Sequence, residues 1–92
     1  MDWHWDDAKS RHNRRKHGLG FDTARLVFDD PLALSRLDAF EGGERWQTVG
    51  RTGSVTIFVV HTAADDSNSH GRIISARKAT AHERKAYEEG SH

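Results

Sequence analysis

Cysteine is absent from the chain, which excludes a disulfide framework and a thiolate metal site and leaves nothing that points to an oxidising compartment. The cytoplasm is the default expectation. Long apolar runs are missing too: the longest, Val55 to Val60 broken only by Thr56, is far too short to cross a bilayer. Met1-Asp2-Trp3-His4 has neither the basic start nor the apolar stretch of a secretory signal. No Pro/Gly/Ser-rich stretch divides the 92 residues, so they read as one domain, 1–92. A chain this short buries a modest share of its surface, which makes association with a partner a natural expectation.

An excess of charge is also lacking, because 14 basic residues balance 14 acidic ones. The balance is uneven along the chain. Lys9, Arg11, Arg14, Arg15 and Lys16 fall in one acid-free stretch, and Arg72, Arg77, Lys78, Arg84 and Lys85 form a second basic group. Between them, Asp22, Asp29, Asp30, Asp38, Glu41 and Glu44 meet only Arg25 and Arg36. Each basic group reads either as a phosphate-binding surface or as a solvated helix face. The acidic stretch, interspersed with Leu32, Leu34, Leu37 and Phe40, has the composition of a partner surface.

Asp6 can cap a helix from Asp7 that stops at His17, where Gly18 can take positive φ. Phe21, Ala24, Leu26, Val27 and Phe28 suit a short amphipathic helix ended by Asp29-Asp30-Pro31. Ala33 to Gly43 reads as an irregular connection, closed by a turn at Glu41 to Glu44. Strands follow at Arg45 to Arg51, at Ser54 to Thr62 after the Thr52-Gly53 turn, and at Arg72 to Ala76. The apolar run at 55–60 predicts a central strand covered on both faces. Thr80 and Glu83 form a capping box for a last helix to about Glu89, with Ala79, Ala86 and Tyr87 inward. The expected class is α+β: two N-terminal helices, an antiparallel three- to four-stranded sheet and a C-terminal helix.

Seven histidines invite a metal reading, but His12 and His17 are five apart and no His-Glu-x-x-His pattern occurs, so no metal is expected. No Gly-rich phosphate loop or nucleophile elbow is present, and no cofactor is implied. What remains is a surplus of Arg, Lys and His at element ends, able to stabilise a phosphate as its charge grows and to move protons near neutral pH. RNA is a natural target because its own 2′-hydroxyl can attack the neighbouring phosphate. Arg45, Arg72 and Arg77 lie on strands or strand ends, rigid positions for a planar fork that grips two phosphate oxygens.

Trp5-Asp6, Lys9, Asn13, Lys16-His17-Gly18, Phe21, Ala24 and Val27-Phe28 before Asp30-Pro31 together resemble the N-terminal half of the BrnT toxins. Gly43-Glu44-Arg45, Gly50, Ile57 to Val60, the ordered string Arg72-Ile73-Ile74-Ser75-Ala76-Arg77-Lys78-Ala79, and Glu83-Arg84 with Tyr87 resemble the C-terminal half. The resemblance runs over roughly positions 3 to 88. It implies a RelE-like fold and metal-independent endoribonuclease activity that inhibits translation. It also implies neutralisation by a BrnA-type antitoxin with a ribbon-helix-helix domain, and binding of operator DNA only as the toxin–antitoxin complex. The polar loop from Ala63 to Gly71 departs from the family, carrying Asn68-Ser69-His70-Gly71 where a Glu or Arg is expected, and Gly90-Ser91-His92 extends past the resemblance.

His17 is a candidate proton-transfer group, or a histidine that meets the carbonyl end of its helix. Arg72 and Arg77 are five apart and face opposite sides of a regular strand, so both reach one phosphate only if the strand ends near Ala76. Glu44-Arg45 is either part of the site or an ion pair at a strand end. Lys16, Lys78 and Arg84 are candidate RNA-backbone contacts, and Tyr87 either stacks a base or packs the last helix. Trp3, Trp5 and Trp46 read as core or partner-interface residues. The competing class is a non-catalytic module that binds nucleic acid or a partner protein. Its motivation is the Gly18-Leu19-Gly20 link between two helices, which mimics a helix-turn-helix.

Overall fold

The structure, a computed structural model, describes residues 2–40, 43–62 and 70–91. After a three-residue strand β1 (Asp2–His4), helix α1 spans Asp7–His17. The Asp6 carboxylate accepts hydrogen bonds from the Ala8 and Lys9 amides at 2.8 and 3.2 Å, and Gly18 ends the helix with φ 81°. Those amides, Lys9 first, hold the Asp6 carboxyl below its usual range. As expected from its composition, α1 buries a single residue, Asn13. Its carboxamide donates to the Leu19 and Ala76 carbonyls at 2.9 and 2.8 Å, so a polar contact ties this wet helix to the sheet.

The second helix is shorter and tighter than the sequence predicts. One α-turn, α2 (Phe21–Ala24), continues as a 3-10 turn over Arg25–Asp29. Phe21, Ala24 and Val27 are all buried, a spacing of three that suits the threefold winding of the tighter turn. This segment lies directly on the sheet at Gly50, where a Cβ would stand 2.5 Å from Val27 Cγ1.

The remaining elements are β2 (Leu34–Phe40), β3 (Gly43–Thr52), β4 (Val55–His61), β5 (His70–Lys78) and α3 (Ala81–Glu89). The α+β class stands, but the expected antiparallel sheet of three or four strands is corrected to a mixed five-stranded sheet in the order β1-β5-β4-β3-β2. Its β2, β3, β4 and β5 are antiparallel neighbours, and β1 pairs in parallel with β5. The segment read as an irregular connection is the edge strand β2. Its polar Ser35, Arg36 and Asp38 and half-exposed Leu37 hide the alternation that marks a buried strand. β1 is too short to carry a periodic signal and forms only because β5 supplies a ladder. The expected turn at Glu41-Gly42 and the polar loop at 63–69 lie outside the described residues, as does His92.

Two cores sandwich the sheet. On one face, Leu19, Phe21, Ala24 and Val27 pack against Ile57, Val59, Ile73 and Ala76, with Trp3, Trp5 and Phe28 at the margin. On the other, Tyr87 of α3 packs against Val49 and Phe58. Thus β4 is covered on both sides, as its apolar run predicts, with Ile57 and Val59 facing α1 and α2 and Phe58 facing α3.

Candidate active site

Strand alternation assigns the basic residues to faces. On β4 and β5 the ladder runs Phe58 to Arg77, Val59 to Ala76 and Val60 to Ser75, but His61 pairs with Ile73, leaving Ile74 as an extra residue. This β-bulge reverses parity. Ala76 and Ile73, three apart, both enter the core under α1 and α2, so Arg77 and Arg72, five apart, both lie on the α3 face. The expectation that they must oppose one another holds for a regular strand and is corrected here by one inserted residue, although β5 continues past Ala76 to Lys78.

The α3 face has a half that lies under α3 and an open half that no described helix covers. Under α3 lie Val49 and Phe58, with Arg77 beside them. Toward the other end come Arg36, Gln47, Val60 and Ser75, joined across the ladders, with Arg36 Nε donating to Gln47 Oε1 at 2.9 Å. One step further, Arg45 pairs with Asp38, the Thr62 amide donates to the Arg72 carbonyl at 2.9 Å, and Arg72 pairs with His4. Arg45, Arg72 and His4 therefore form a transverse row over β3, β5 and β1, each exposed or half-buried. Neighbouring strands are about 4.8 Å apart, so the row spans about 15 Å of backbone. Arg36 was read from the sequence only as a charge within the acidic stretch, and His4 was not singled out. The pairing of β2 and β1, neither legible as a strand, brings them here.

Arg77 is differently placed. Its guanidinium grips the Glu83 carboxylate with both terminal nitrogens, at 2.7 and 2.9 Å, and stands 4.3 Å from the centre of the Phe58 ring. Glu83 also accepts from the Thr80 amide, completing the expected capping box. The Arg77 hydrogen bonds outweigh burial and pull the Glu83 carboxyl down to about 2, while Arg77 is shifted upward by the same partner. Arg77 thus fixes α3 on the sheet at the edge of the open row.

The other sequence-stated candidates are dispersed. Lys16 and His17 end α1, in the layer on the opposite face from Arg45 and Arg72, and the basic last turn of that helix complements its carbonyl end. Lys78 pairs with Ile57, whose side chain enters the α1 face, so alternation turns it the same way. Arg84 is exposed on α3. The Glu44 side chain lies outside the described residues, and its register partner is Ala39. Tyr87 is 9% exposed and its hydroxyl donates to Asp30 Oδ2 at 2.6 Å, which leaves little ring face for a base. A hollow of about 290 Å³ on the α1 side is lined by Trp5, Asp7, Ser10, Arg11, Arg14 and Asp22, acids among bases. Among the described residues no three His, Asp or Glu side chains stand close enough to share a metal ion, and no helix is long and apolar enough to cross a membrane.

An open sheet face carrying permanent cations can bind a phosphodiester and stabilise charge as it develops, because arginine stays protonated and its fork matches two phosphate oxygens. Comparison with curated proteins finds no match. The family model for the ribonuclease toxin BrnT of type II toxin–antitoxin systems matches residues 5–83, which takes in α1, all of β2 to β5 and the start of α3. The chain belongs to the BrnT family of ribonuclease toxins.

Proposed function

We propose that this chain cleaves RNA on the open half of its α3 face, without a metal, and that this cleavage inhibits translation. The observation that carries the reading is the row of Arg45 and Arg72, brought to one face by the bulge at Ile74 and extended by Arg36. Here the attacking nucleophile is the RNA 2′-hydroxyl, and the arginines meet the negative charge that builds on the phosphate. Arg77 borders the site and Arg84 extends the basic surface on α3, whereas Lys16, His17, Lys78 and Tyr87 serve the fold and solubility. The scaffold is RelE-like in this reading.

The partner is a BrnA-type antitoxin with a ribbon-helix-helix domain, and operator DNA is bound by the complex. Its docking place is the β2 side of the sheet, where Leu32 and Leu37 are 69% and 50% exposed on and beside an edge strand. A Leu32→Glu, Leu37→Glu double variant that folds and still binds antitoxin as wild type does would rule this surface out.

The test of the activity is cleavage of a defined single-stranded RNA in EDTA. Arg45→Ala and Arg72→Ala should each slow cleavage by an order of magnitude or more while His17→Ala retains it, all in folded protein. An equal loss in His17→Ala would place the chemistry on the α1 side. Wild-type protein inert on both free and ribosome-bound RNA would favour the non-catalytic binding module.

A further inference from the structure

We propose that His4 is the general base of the arginine face, taking the proton of the RNA 2′-hydroxyl. The inference rests on the reading that Arg45 and Arg72 bind the scissile phosphate. Those arginines cannot accept a proton, since guanidinium is a donor only. Gln47 and Ser75, the neutral polar neighbours, are not bases at neutral pH. Asp38 stands opposite Arg45 on the outermost strand, at the far end of the row from Arg72. Glu83 is fully engaged by Arg77 and Thr80.

The His70 side chain lies outside the described residues, and the other histidines with described side chains stand elsewhere. His12 and His17 belong to α1, on the opposite face. His61 is 6% exposed in the core, with both ring nitrogens hydrogen-bonded. His82 lines a hollow with Lys85, Ala86, Glu89 and Ser91 on α3. His4 is the imidazole that strand pairing sets directly beside Arg72. It is exposed, as a group that must touch substrate has to be.

The position is also held rigidly, which a catalytic group requires. One residue before, Trp3 lies over Gly71 so closely that a Cβ there would be 2.3 Å from its ring, and it stacks on Phe28 with centroids 3.8 Å apart. Two residues after, Asp6 is fixed as the cap of α1. β1 therefore has Trp3 locked on one side of the sheet and His4 presented on the other. Arg72 pairs with His4 across the ladder, and Asp6, whose carboxylate interacts with Arg72, follows two residues later in the chain.

In the step, the 2′-oxygen forms a bond to phosphorus as its proton passes to the neutral imidazole of His4. The bond from phosphorus to the 5′-oxygen breaks, and the departing 5′-oxygen takes a proton from water. The products are a 2′,3′-cyclic phosphate and a 5′-hydroxyl, and the imidazolium returns its proton to solvent.

The test follows cleavage of a defined single-stranded RNA in EDTA between pH 5 and 8, with product ends identified, for wild type, His4→Gln, His4→Ala and Arg72→Ala. Binding is measured separately on the same sequence carrying 2′-deoxy sugar at the cleaved position. His4→Gln should slow cleavage by roughly 10²–10⁴-fold. It should also remove the fall in rate at acid pH, while leaving binding of the uncleavable RNA within about twofold of wild type. Free imidazole should partly restore His4→Ala, a rescue that a merely structural role would not give. A His4→Gln protein with wild-type rate and pH profile would overturn this assignment while leaving the arginine face standing. An inert wild type, or an Arg72→Ala protein that cleaves as wild type does, would overturn the arginine reading and His4 with it.

Discussion

The Tyr87 hydroxyl donates to Asp30 Oδ2 at 2.6 Å, joining residues 57 positions apart in the chain. The same carboxylate accepts the Arg51 amide at 2.8 Å through Oδ2 and the Leu32 amide at 2.9 Å through Oδ1. One side chain thus links the end of the 3-10 turn, strand β3 and helix α3, and holds the two layers together at one end of the sheet.

Removing that link should loosen α3. Asp30→Ala leaves a tyrosine hydroxyl and two amides without their acceptor and is expected to cost roughly 1–3 kcal/mol, with Tyr87→Phe costing about 1 kcal/mol. Urea unfolding of the two variants and of their double mutant gives the coupling. Burial pushes the Asp30 carboxyl up, but the Tyr87 hydroxyl and the two amides outweigh it, so its net shift is downward. For a depressed carboxyl, the stability is present above the unfolded value of about 3.9 and is lost as pH falls through the folded one. Tyr87 is shifted upward, chiefly by Asp30, so its share is complete below the ordinary tyrosine value and is lost in alkali as pH rises through the folded one. Asp30→Asn should flatten the acid limb.

Asn13 anchors α1 from its one buried position. Its carboxamide donates to the Leu19 and Ala76 carbonyls, and its oxygen faces the Ala76 amide at 3.4 Å. It behaves toward β5 as a fragment of neighbouring strand would. Asn13→Ala strands two buried carbonyls and should cost about 2–4 kcal/mol, read by denaturant titration. Asn13→Asp should be worse, because a carboxylate is acceptor-only and would face two carbonyls.

Asn13 also explains what was legible in the sequence. Much of the N-terminal string that carries the family resemblance is structural: Asn13 pins α1, Gly18 ends it, Phe21, Ala24 and Val27 fill the core, and Asp30 clasps α3. Local chemistry of this kind is readable, so α1, the hairpin at Gly53, the central strand β4 and the capping box of α3 all stand where the residues place them. Elements that exist only through pairing are not. β1 and β2 lack periodic signal, and a one-residue bulge cannot be seen in the string Arg72 to Ala79. The arginines of the candidate site were therefore identifiable by type, while their common face, the separation of His17 from them and the arrival of His4 all depended on register.

The Arg77–Glu83 pair should matter more for placing α3 than for overall stability. The Arg77 side chain is 37% exposed, so solvent screens the ion pair and its share is no more than about 1 kcal/mol. Glu83→Ala also loses the capping box, worth about another 1 kcal/mol. Arg77→Lys keeps the charge but cannot reproduce the two parallel hydrogen bonds or the flat contact with Phe58, and should resemble Arg77→Ala more than wild type. With the Glu83 carboxyl down at about 2, the contribution is present above the unfolded value near 4.5 and is lost only as pH falls through about 2. Thermal unfolding of Glu83→Gln beside wild type from pH 2 to 6 checks the sign: the difference should shrink toward pH 2.

His61 gives the opposite end of the sheet a sensitivity to mild acid. Its Nδ1 lies 2.9 Å from the Thr62 carbonyl, which can only accept, so Nδ1 carries the hydrogen and Nε2 accepts from the Thr48 hydroxyl at 2.6 Å. Thr48 in turn lies 2.7 Å from the Ser35 hydroxyl. Trp3 and Phe28 enclose the ring edge-on, with centroids 5.0 and 4.8 Å away. A second proton would force the Thr48 hydroxyl to turn from donor to acceptor, and burial lowers the imidazole below its ordinary value despite the Thr62 carbonyl. The unfolded chain therefore takes up the proton first. Stability is whole above about 6.5 and declines as pH falls from there toward the folded value. His61→Phe forfeits the Thr48 hydrogen bond, for about 1–3 kcal/mol, but should lose much less stability than wild type between pH 7 and 5. Equal slopes for the two proteins in urea titrations across that range would show that the buried imidazole is not the source of the acid sensitivity.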